Sequence, residues 1–210
     1  PPIDRTHPRA PIPASDGKTY YIGYLMAQNV NHNGTWYVNQ TELDKLGLEA
    51  PKTIDEVTEM LRKMKADGFE FPMSASSSKT GPEGILNFFA SFGVPENQKY
   101  YFIDENDKVQ FTGAQAGWRA CVESLHQLYE EGLLDPESLT QDSNLWASKV
   151  NEGKVGYFTY LRLKNTAITA DNIGNYKSIL PPAADGFKVS VSSILEVPEV
   201  GVYLTKNCKD

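Results

Sequence analysis

The stretch Gly117 to Tyr160, GWRACVESLHQLYEEGLLDPESLTQDSNLWASKVNEGKVGYFTY, decides the fold class of this chain. Its first part spaces apolar residues as on one buried helix face, at Trp118, Cys121, Val122, Leu125, Leu128 and Tyr129. Gly132 suits a left-handed helix cap, and Asp135-Pro136 prevents any continuation of the helix. We therefore predict a core helix that ends at about Gly132.

The second part of this stretch predicts a shorter helix followed by a buried strand. Thr140 or Asp142 can cap the helix, and Gly153 can close it. The run from Lys154 to Phe158, KVGYF, is typical of a short buried strand. Strand-like runs alternate with helical segments along the rest of the chain, so the sequence predicts an α/β layer architecture.

Further elements follow from local patterns. Thr53 and Glu56 form a capping box, which predicts a helix that continues to Gly68. Shorter helices are expected over residues 41–46, where Gly47 closes the helix, and over residues 82–92. Strands are expected over residues 19–25, 36–38, 176–180 and 200–204. Residues 99–103 and 108–111 flank a polar tip and predict a hairpin. The segment from Ser74 to Gly81 is interpreted as a solvated loop.

Composition excludes several classes of protein. The 210 residues carry a net charge of −7 and have a pI near 5.1, whereas nucleic acids and anionic membranes select basic surfaces. No run reaches the roughly 20 apolar residues of a membrane helix. Cys121 and Cys208 are far apart in sequence, and Cys121 falls on the predicted core face, so we expect a free thiol there.

Three stretches resemble the bacterial extracellular solute-binding proteins, which are the capture subunits of ABC importers. They are WYVNQTELDKLGLEAPKTIDEV, LYEEGLLDPESLTQD with NEGKVGYF, and GVYLTKNCKD at the end of the chain. The sequence departs from the usual family pattern at Val150, at Ile54 and at Gly23, where the family has an aromatic residue or Leu, Trp and Pro, respectively.

The resemblance implies one periplasmic-binding-protein-like (type II) lobe, in which a mixed sheet is flanked by helices. We expect residues 1–16 to form an irregular lead-in, residues 17–180 the second lobe, and residues 181–210 a truncated return segment toward the first lobe. The chain begins with Pro1 and ends abruptly at Asp210, so we interpret it as an excised fragment of a larger protein.

The same resemblance nominates residues that line a ligand cleft. Aromatic faces stack on sugar rings, while polar groups bind the hydroxyls. The implied ligand-binding residues are Tyr24, Trp36, Tyr37, Tyr160 and Arg162. Trp118 lies on the predicted core stripe, and we assign it to packing.

Catalytic chemistry finds little support in the sequence. Glu130 and Glu131 are about 100° apart on a helix and do not converge on one substrate atom, and His126 lies beside the apolar stripe. The acidic tip from Asp104 to Asp107 lacks the Gly and the terminal Glu of an EF-hand loop. We therefore expect no catalytic residue, no metal and no cofactor.

The resemblance implies a non-enzymatic, extracytoplasmic protein that captures an oligosaccharide or similar solute between two lobes. Its expected partner is the membrane permease of an ABC importer, and the intact protein is expected to be a monomer, lipid-anchored or periplasmic, without nucleic-acid partners. Two alternatives stay open at this point. The chain could be a carbohydrate-active enzyme domain, or a surface interaction module without a small ligand.

Overall fold

The computed structural model describes residues 16–18, 21–23, 35–77, 83–95, 100–104, 106–160, 170–190 and 201–203. The chain divides into two compact units, one formed by residues 1–30 with 193–210 and the other by residues 31–192. The boundaries expected from the resemblance, after residues 16 and 180, remain a prediction about the intact protein. In the first unit, strand β1 (Tyr21–Gly23) pairs antiparallel with strand β8 (Gly201–Tyr203).

The second unit is built on a four-stranded mixed sheet with the order β3-β6-β2-β7. Its strands are β2 (Thr35–Asn39), β3 (Phe71–Met73), β6 (Val155–Tyr160) and β7 (Tyr176–Ile179). Strands β3 and β6 are parallel, whereas β2 runs antiparallel to both β6 and β7. This mixed sheet with its flanking helices confirms the predicted α/β class.

Helix α1 (Gln40–Leu46) ends at the predicted glycine, and helix α2 (Ile54–Ala66) begins at the predicted capping box but ends two residues before Gly68. The Asn39 side chain caps α1, and Gly47 ends it in the left-handed conformation, with a φ of 64°. Thr53 and Glu56 form the complete capping box of α2. The predicted apolar positions of α2 are all buried, namely Ile54, Val57, Met60, Leu61 and Met64.

The remaining elements are α3 (Glu83–Phe88), α4 (Ala116–Glu130), α5 (Ser143–Asn151), α6 (Ala170–Ile173) and a separate hairpin of β4 (Tyr101–Ile103) and β5 (Val109–Phe111). Short 3₁₀ turns follow α3 and β5, over Phe89–Phe92 and Thr112–Ala114. Asp142 is the cap of α5, and its side chain accepts hydrogen bonds from two backbone N–H groups. Asp142 is one of the two caps that the sequence predicts for this helix.

The buried residues form two clusters. The larger one joins α2, α3 and α4 to residues such as Trp36 and Val38 of β2. The smaller one joins Trp146, Ala147 and Val150 of α5 to Phe158 of β6 and to Tyr176 of β7. The sheet therefore carries helices on two sides, as in other layered α/β folds.

The sequence predicts a wider buried face on α4 than the structure shows. Cys121 and Leu128 are buried, but Val122 and Tyr129 are 47% and 52% exposed. Each of these two residues follows a buried residue and is rotated from it by about 100° around the helix axis. Because α4 packs on the core along a narrow stripe, this rotation turns both side chains toward solvent.

Two other expectations are corrected. Ser74, Ala75 and Ser76 are buried, so the first part of the predicted solvated loop belongs to the interior. Strand β7 ends at Ile179, and Leu180 is exposed because the chain leaves the sheet there before the two prolines.

Candidate ligand-binding edge

The carboxyl ends of the parallel strands β3 and β6 define one edge of the four-stranded sheet. Strand β2 is antiparallel to β6 and begins at this edge, since Thr35 lies opposite Tyr160. Ser74 follows β3 at the same edge, and its N–H donates to the carbonyl of Tyr157 over 3.2 Å. In open α/β sheets, ligands bind outside the carboxyl ends of the strands. This edge is therefore the candidate site.

The segment from Ser74 to Ser77 is held at this edge by the turn that follows α4. The Ala75 N–H donates to Ser138 Oγ over 3.2 Å, and the Ser77 N–H donates to the Gln141 carbonyl over 2.8 Å. The Gln141 side chain donates back to the Ala75 carbonyl over 2.7 Å. These bonds fix the backbone of the segment on both sides of Ala75.

A buried carboxylate, Asp135, anchors this arrangement. Its Oδ2 accepts hydrogen bonds from Ser74 Oγ at 2.7 Å, from Gln141 Nε2 at 2.9 Å and from Lys149 Nζ at 2.8 Å. Burial by itself raises the pKa of Asp135, but the Lys149 ammonium and the other donors outweigh burial and lower the pKa below its ordinary value. Asp135 is therefore ionised in the folded protein.

Lys149 reaches this carboxylate from the buried face of α5. Its Nζ also lies 2.7 Å from Glu137 Oε2 and 4.3 Å from the centre of the Phe71 ring. Burial lowers the pKa of Lys149, yet Asp135 and Glu137 raise it above its ordinary value on balance. Lys149 thus joins α5, strand β3 and the turn after α4 through one charged group.

Helix α3 is fastened to the same edge through Thr159 of β6. The Asn87 side-chain amide donates to Thr159 Oγ1 over 3.3 Å, and the Thr159 hydroxyl donates to the Gly84 carbonyl. A Cβ at Gly84 would lie 2.9 Å from the Cβ of Ala75, so only glycine permits this close approach. The start of α3 and the Ser74 segment therefore pack closely against each other.

The structure places the predicted site residues on different sides of the sheet. Trp36 is 3% exposed within the larger cluster, and its Nε1 has no hydrogen-bond partner among the residues that the structure describes. Tyr37 and Tyr160 are partly buried against the smaller cluster; Tyr37 stacks on Phe158, and Tyr160 stacks on Trp146 with ring centres 4.7 Å apart. Tyr24 and Arg162 lie outside the described residues. The role of all five in ligand binding stays a prediction.

Trp118 packs as expected. Its ring centre lies 4.3 Å from that of Phe89, and it lines the larger cluster. Cys121 is a free thiol in the same core, and burial raises its pKa well above its ordinary value. A buried thiol of this kind is inert as a nucleophile.

Of the groups considered for catalysis, Glu130 and His126 are exposed on α4, whereas Glu131 follows the helix and is partly buried against α2. His126 is exposed, with Nδ1 3.9 Å from Glu130, and Glu131 forms a paired contact with Arg62 at 2.7 Å. Among the described residues, no cluster of three or more His, Cys, Asp or Glu residues could hold a metal ion. The same part of the chain contains no helix of the length and apolarity needed to cross a bilayer.

Sequence reasoning missed the polar network at this edge. From the sequence, Asp135 is predicted only to end a helix together with Pro136, and Lys149 receives no assigned role. The available signal was the position of Lys149 between the apolar residues Trp146 and Val150 on α5. A charged residue inside an apolar stripe needs a buried partner.

The sheet order and the helices on both sides of the sheet define one lobe of the periplasmic-binding-protein-like class. The profile of the family described as bacterial extracellular solute-binding protein matches residues 6–205. The chain therefore belongs to this family.

A curated relative is the fructooligosaccharide ABC transporter substrate-binding protein FusA of Streptococcus pneumoniae, which is 33% identical over 136 residues. That match covers 61% of this chain and 25% of the relative. The structure of S. pneumoniae FusA in complex with kestose is similar at 25% identity, with a TM-score of 0.73 over 90% of this chain and 40% of that chain. The chain thus spans less than half the length of these relatives.

A third comparison concerns the fold alone. An HMO-binding solute-binding protein from Bifidobacterium longum infantis, associated with an ABC transporter, shares 19% identity with a TM-score of 0.69. The match covers 86% of this chain and 39% of that chain. The lobe architecture is therefore found in solute-binding proteins of low sequence similarity.

Proposed function

We propose that this chain is one lobe of a solute-binding protein that captures oligosaccharides for an ABC importer. The observation that carries the proposal is the similarity, over 90% of the chain, to FusA, a protein solved with the oligosaccharide kestose. In the intact protein, two lobes close about a hinge and trap the sugar between them. The lobe itself carries no catalytic role in this proposal.

The sheet edge fits this role because it is fixed before any ligand arrives. The Ser74 segment is bonded on both sides of Ala75, and the stacked rings of Tyr160 and Trp146 lie beside the same strand end. A preorganised surface loses little entropy on binding, which favours affinity. We propose that Tyr24, Trp36, Tyr37, Tyr160 and Arg162 contribute to the sugar site of the intact protein.

The same proposal implies the cellular location and the partner of the intact protein. A capture subunit works outside the cytoplasm, lipid-anchored or periplasmic, as a monomer that delivers its solute to a membrane permease. The net charge of −7 does not favour binding to nucleic acids, which select basic surfaces. The alternative of a carbohydrate-active enzyme requires two carboxylates that face one pocket. Glu131 does not suit this role, because its carboxylate is paired with Arg62.

Isothermal titration calorimetry tests the proposal on the full-length protein that carries this sequence. We expect saturable binding of kestose or another short oligosaccharide with a dissociation constant in the micromolar range or below, and no turnover of the sugar. The 210-residue chain alone holds half of the site and is expected to bind weakly or not at all. Absence of binding to a broad oligosaccharide panel by the full-length protein would refute the proposal, as would hydrolysis of the bound sugar.

A further inference from the structure

The β4–β5 hairpin carries an apolar face that belongs to neither buried cluster. Tyr101 lies opposite Phe111, and Ile103 lies opposite Val109, so all of them project to one side of the ribbon. Their exposed fractions are 55%, 49%, 59% and 71%, in that order. The rings of Tyr101 and Phe111 are in contact, with centres 5.5 Å apart.

The hairpin is preformed by contacts that do not involve this face. Asp104 Oδ1 accepts the N–H groups of Asn106 and Lys108, each at 2.9 Å, and Asp104 Oδ2 accepts from the Gln110 side chain at 2.7 Å. These bonds close the tip and fix the register of the strands. The apolar face is therefore displayed in a defined shape and does not result from a loose loop.

The topology places the hairpin at the carboxyl edge of the sheet. The chain after α4 runs parallel to β3, since Leu134 forms a parallel bridge with Met73. Helix α4 must therefore run back along the sheet, so that its first residues lie at the carboxyl end of β3. The hairpin directly precedes α4 and lies at that end. In the proposed two-lobe protein, this edge is the side of the candidate site that faces the companion lobe.

The size of the face indicates what kind of partner can cover it. With about 200 Å² for a large apolar side chain, the exposed fractions amount to roughly 400 to 500 Å². A stable complex between free partners buries about 800 Å² on each side, so this face is too small to hold a second copy by itself. A partner tethered by the same chain meets it at an effective concentration in the millimolar range, where a small contact suffices.

The chemistry of the face further limits the kind of partner that can cover it. Ile103 and Val109 offer no hydrogen bonds, whereas a sugar needs polar partners for its hydroxyl groups. An apolar protein surface suits the side chains of Ile103, Val109 and Phe111, because none of them carries a polar atom that would be left unpaired. We therefore propose that this face packs against an apolar patch on the companion lobe of the intact protein. The inference rests on the proposed two-lobe function.

Cysteine labelling of the face tests the inference directly. Val109→Cys is introduced with Cys208→Ser, while the buried Cys121 is left in place, and reaction with a maleimide is followed in the full-length protein and in the 210-residue chain. We expect labelling about tenfold or more slower in the full-length protein, because the tethered contact is populated most of the time. Val122→Cys on α4 is the matched control, and we expect it to react at similar rates in both proteins.

Each other outcome overturns the inference. Equal rates at position 109 in the two proteins show that no companion lobe covers the face. Protection that grows with protein concentration assigns the face to a second copy, and protection of the 210-residue chain by added kestose assigns it to the sugar. Calorimetry on the same full-length variant separates the two proposals. Sugar binding together with equal labelling rates refutes only the contact between the lobes. Slower labelling of the full-length protein without sugar binding refutes only the proposal that the protein captures an oligosaccharide.

Discussion

The ammonium nitrogen of Lys149 lies 2.8 Å from Oδ2 of Asp135, and both side chains are buried. This ion pair connects α5 to the turn after α4, and hydrogen bonds from Ser74 and Gln141 to the same carboxylate extend it to strand β3. The candidate sugar-binding edge therefore depends on one buried charge and its partners.

Lys149→Met is expected to destabilise the chain by about 3 to 5 kcal/mol, since it leaves the Asp135 carboxylate buried without its counter-charge. Urea unfolding monitored by circular dichroism measures the change. Lys154→Met is the matched control: Lys154 forms exposed ion pairs with Glu70 and Glu152, and we expect its loss to change stability far less than Lys149→Met. A double variant with Asp135→Asn should be more stable than Lys149→Met alone. Equal effects of the two lysine substitutions would contradict the assignment.

The chain is expected to lose stability in acid. The pKa values of Asp135 and Glu131 are lowered in the folded protein, the latter to about 2 by hydrogen bonds from Arg62 and Gln127. A carboxyl group with a lowered folded pKa stabilises the fold above its unfolded pKa, and this contribution disappears as the pH falls through the folded pKa. Melting temperatures between pH 7 and pH 2 should therefore decline below about pH 4.5. Glu131→Gln should flatten this decline, and an unchanged profile would exclude Glu131 as a contributor.

Gly117→Ala is expected to destabilise the protein, although alanine ordinarily favours a helix by about 1 kcal/mol over glycine. A Cβ at Gly117 would lie 1.9 Å from the Phe92 carbonyl oxygen, so α4 and the 3₁₀ turn would have to separate. We expect a loss of about 2 kcal/mol or more. Arg119→Ala on the same helix is the control, because its side chain is exposed and pairs with Glu123 on the helix surface. Stabilisation by Gly117→Ala would show that this close approach is absent in solution.

Tyr160→Phe in the full-length protein is expected to weaken oligosaccharide binding by about three- to tenfold, since it removes the hydroxyl group of a proposed site residue but keeps the ring stacked on Trp146. Calorimetry measures the change in affinity, and thermal unfolding checks that stability is retained. Tyr129→Phe on the exposed side of α4 is the control and should leave affinity unchanged. An unaltered affinity for Tyr160→Phe would remove the Tyr160 hydroxyl from the site.

The sequence predicted best those elements whose signals are local. The capping box at Thr53 and the left-handed cap at Gly47 depend on neighbouring residues only, and both are present. The burial of α4 was overestimated at Val122 and Tyr129, because the width of a buried stripe is set by what packs against the helix. Sequence spacing carries no information about that partner.

The candidate site was less accessible to sequence reasoning. The contact between Lys149 and Asp135 spans 14 residues, and that between Ser74 and Asp135 spans 61, so both arise only from the packing of α5 and β3. The resemblance nominated aromatic residues that lie on strands β2 and β6, but it could not distinguish Trp36 in the larger cluster from Tyr37 and Tyr160 against the smaller one. Side-chain direction relative to the sheet depends on register, which is a tertiary property.

Small-angle X-ray scattering of the full-length protein, with and without saturating oligosaccharide, tests most directly the claim that this lobe is half of a closing trap. We predict that the radius of gyration decreases when the sugar is added to the full-length protein and does not change for the 210-residue chain. Sugar binding to the full-length protein without any compaction would contradict the account, and so would tight binding by the 210-residue chain on its own.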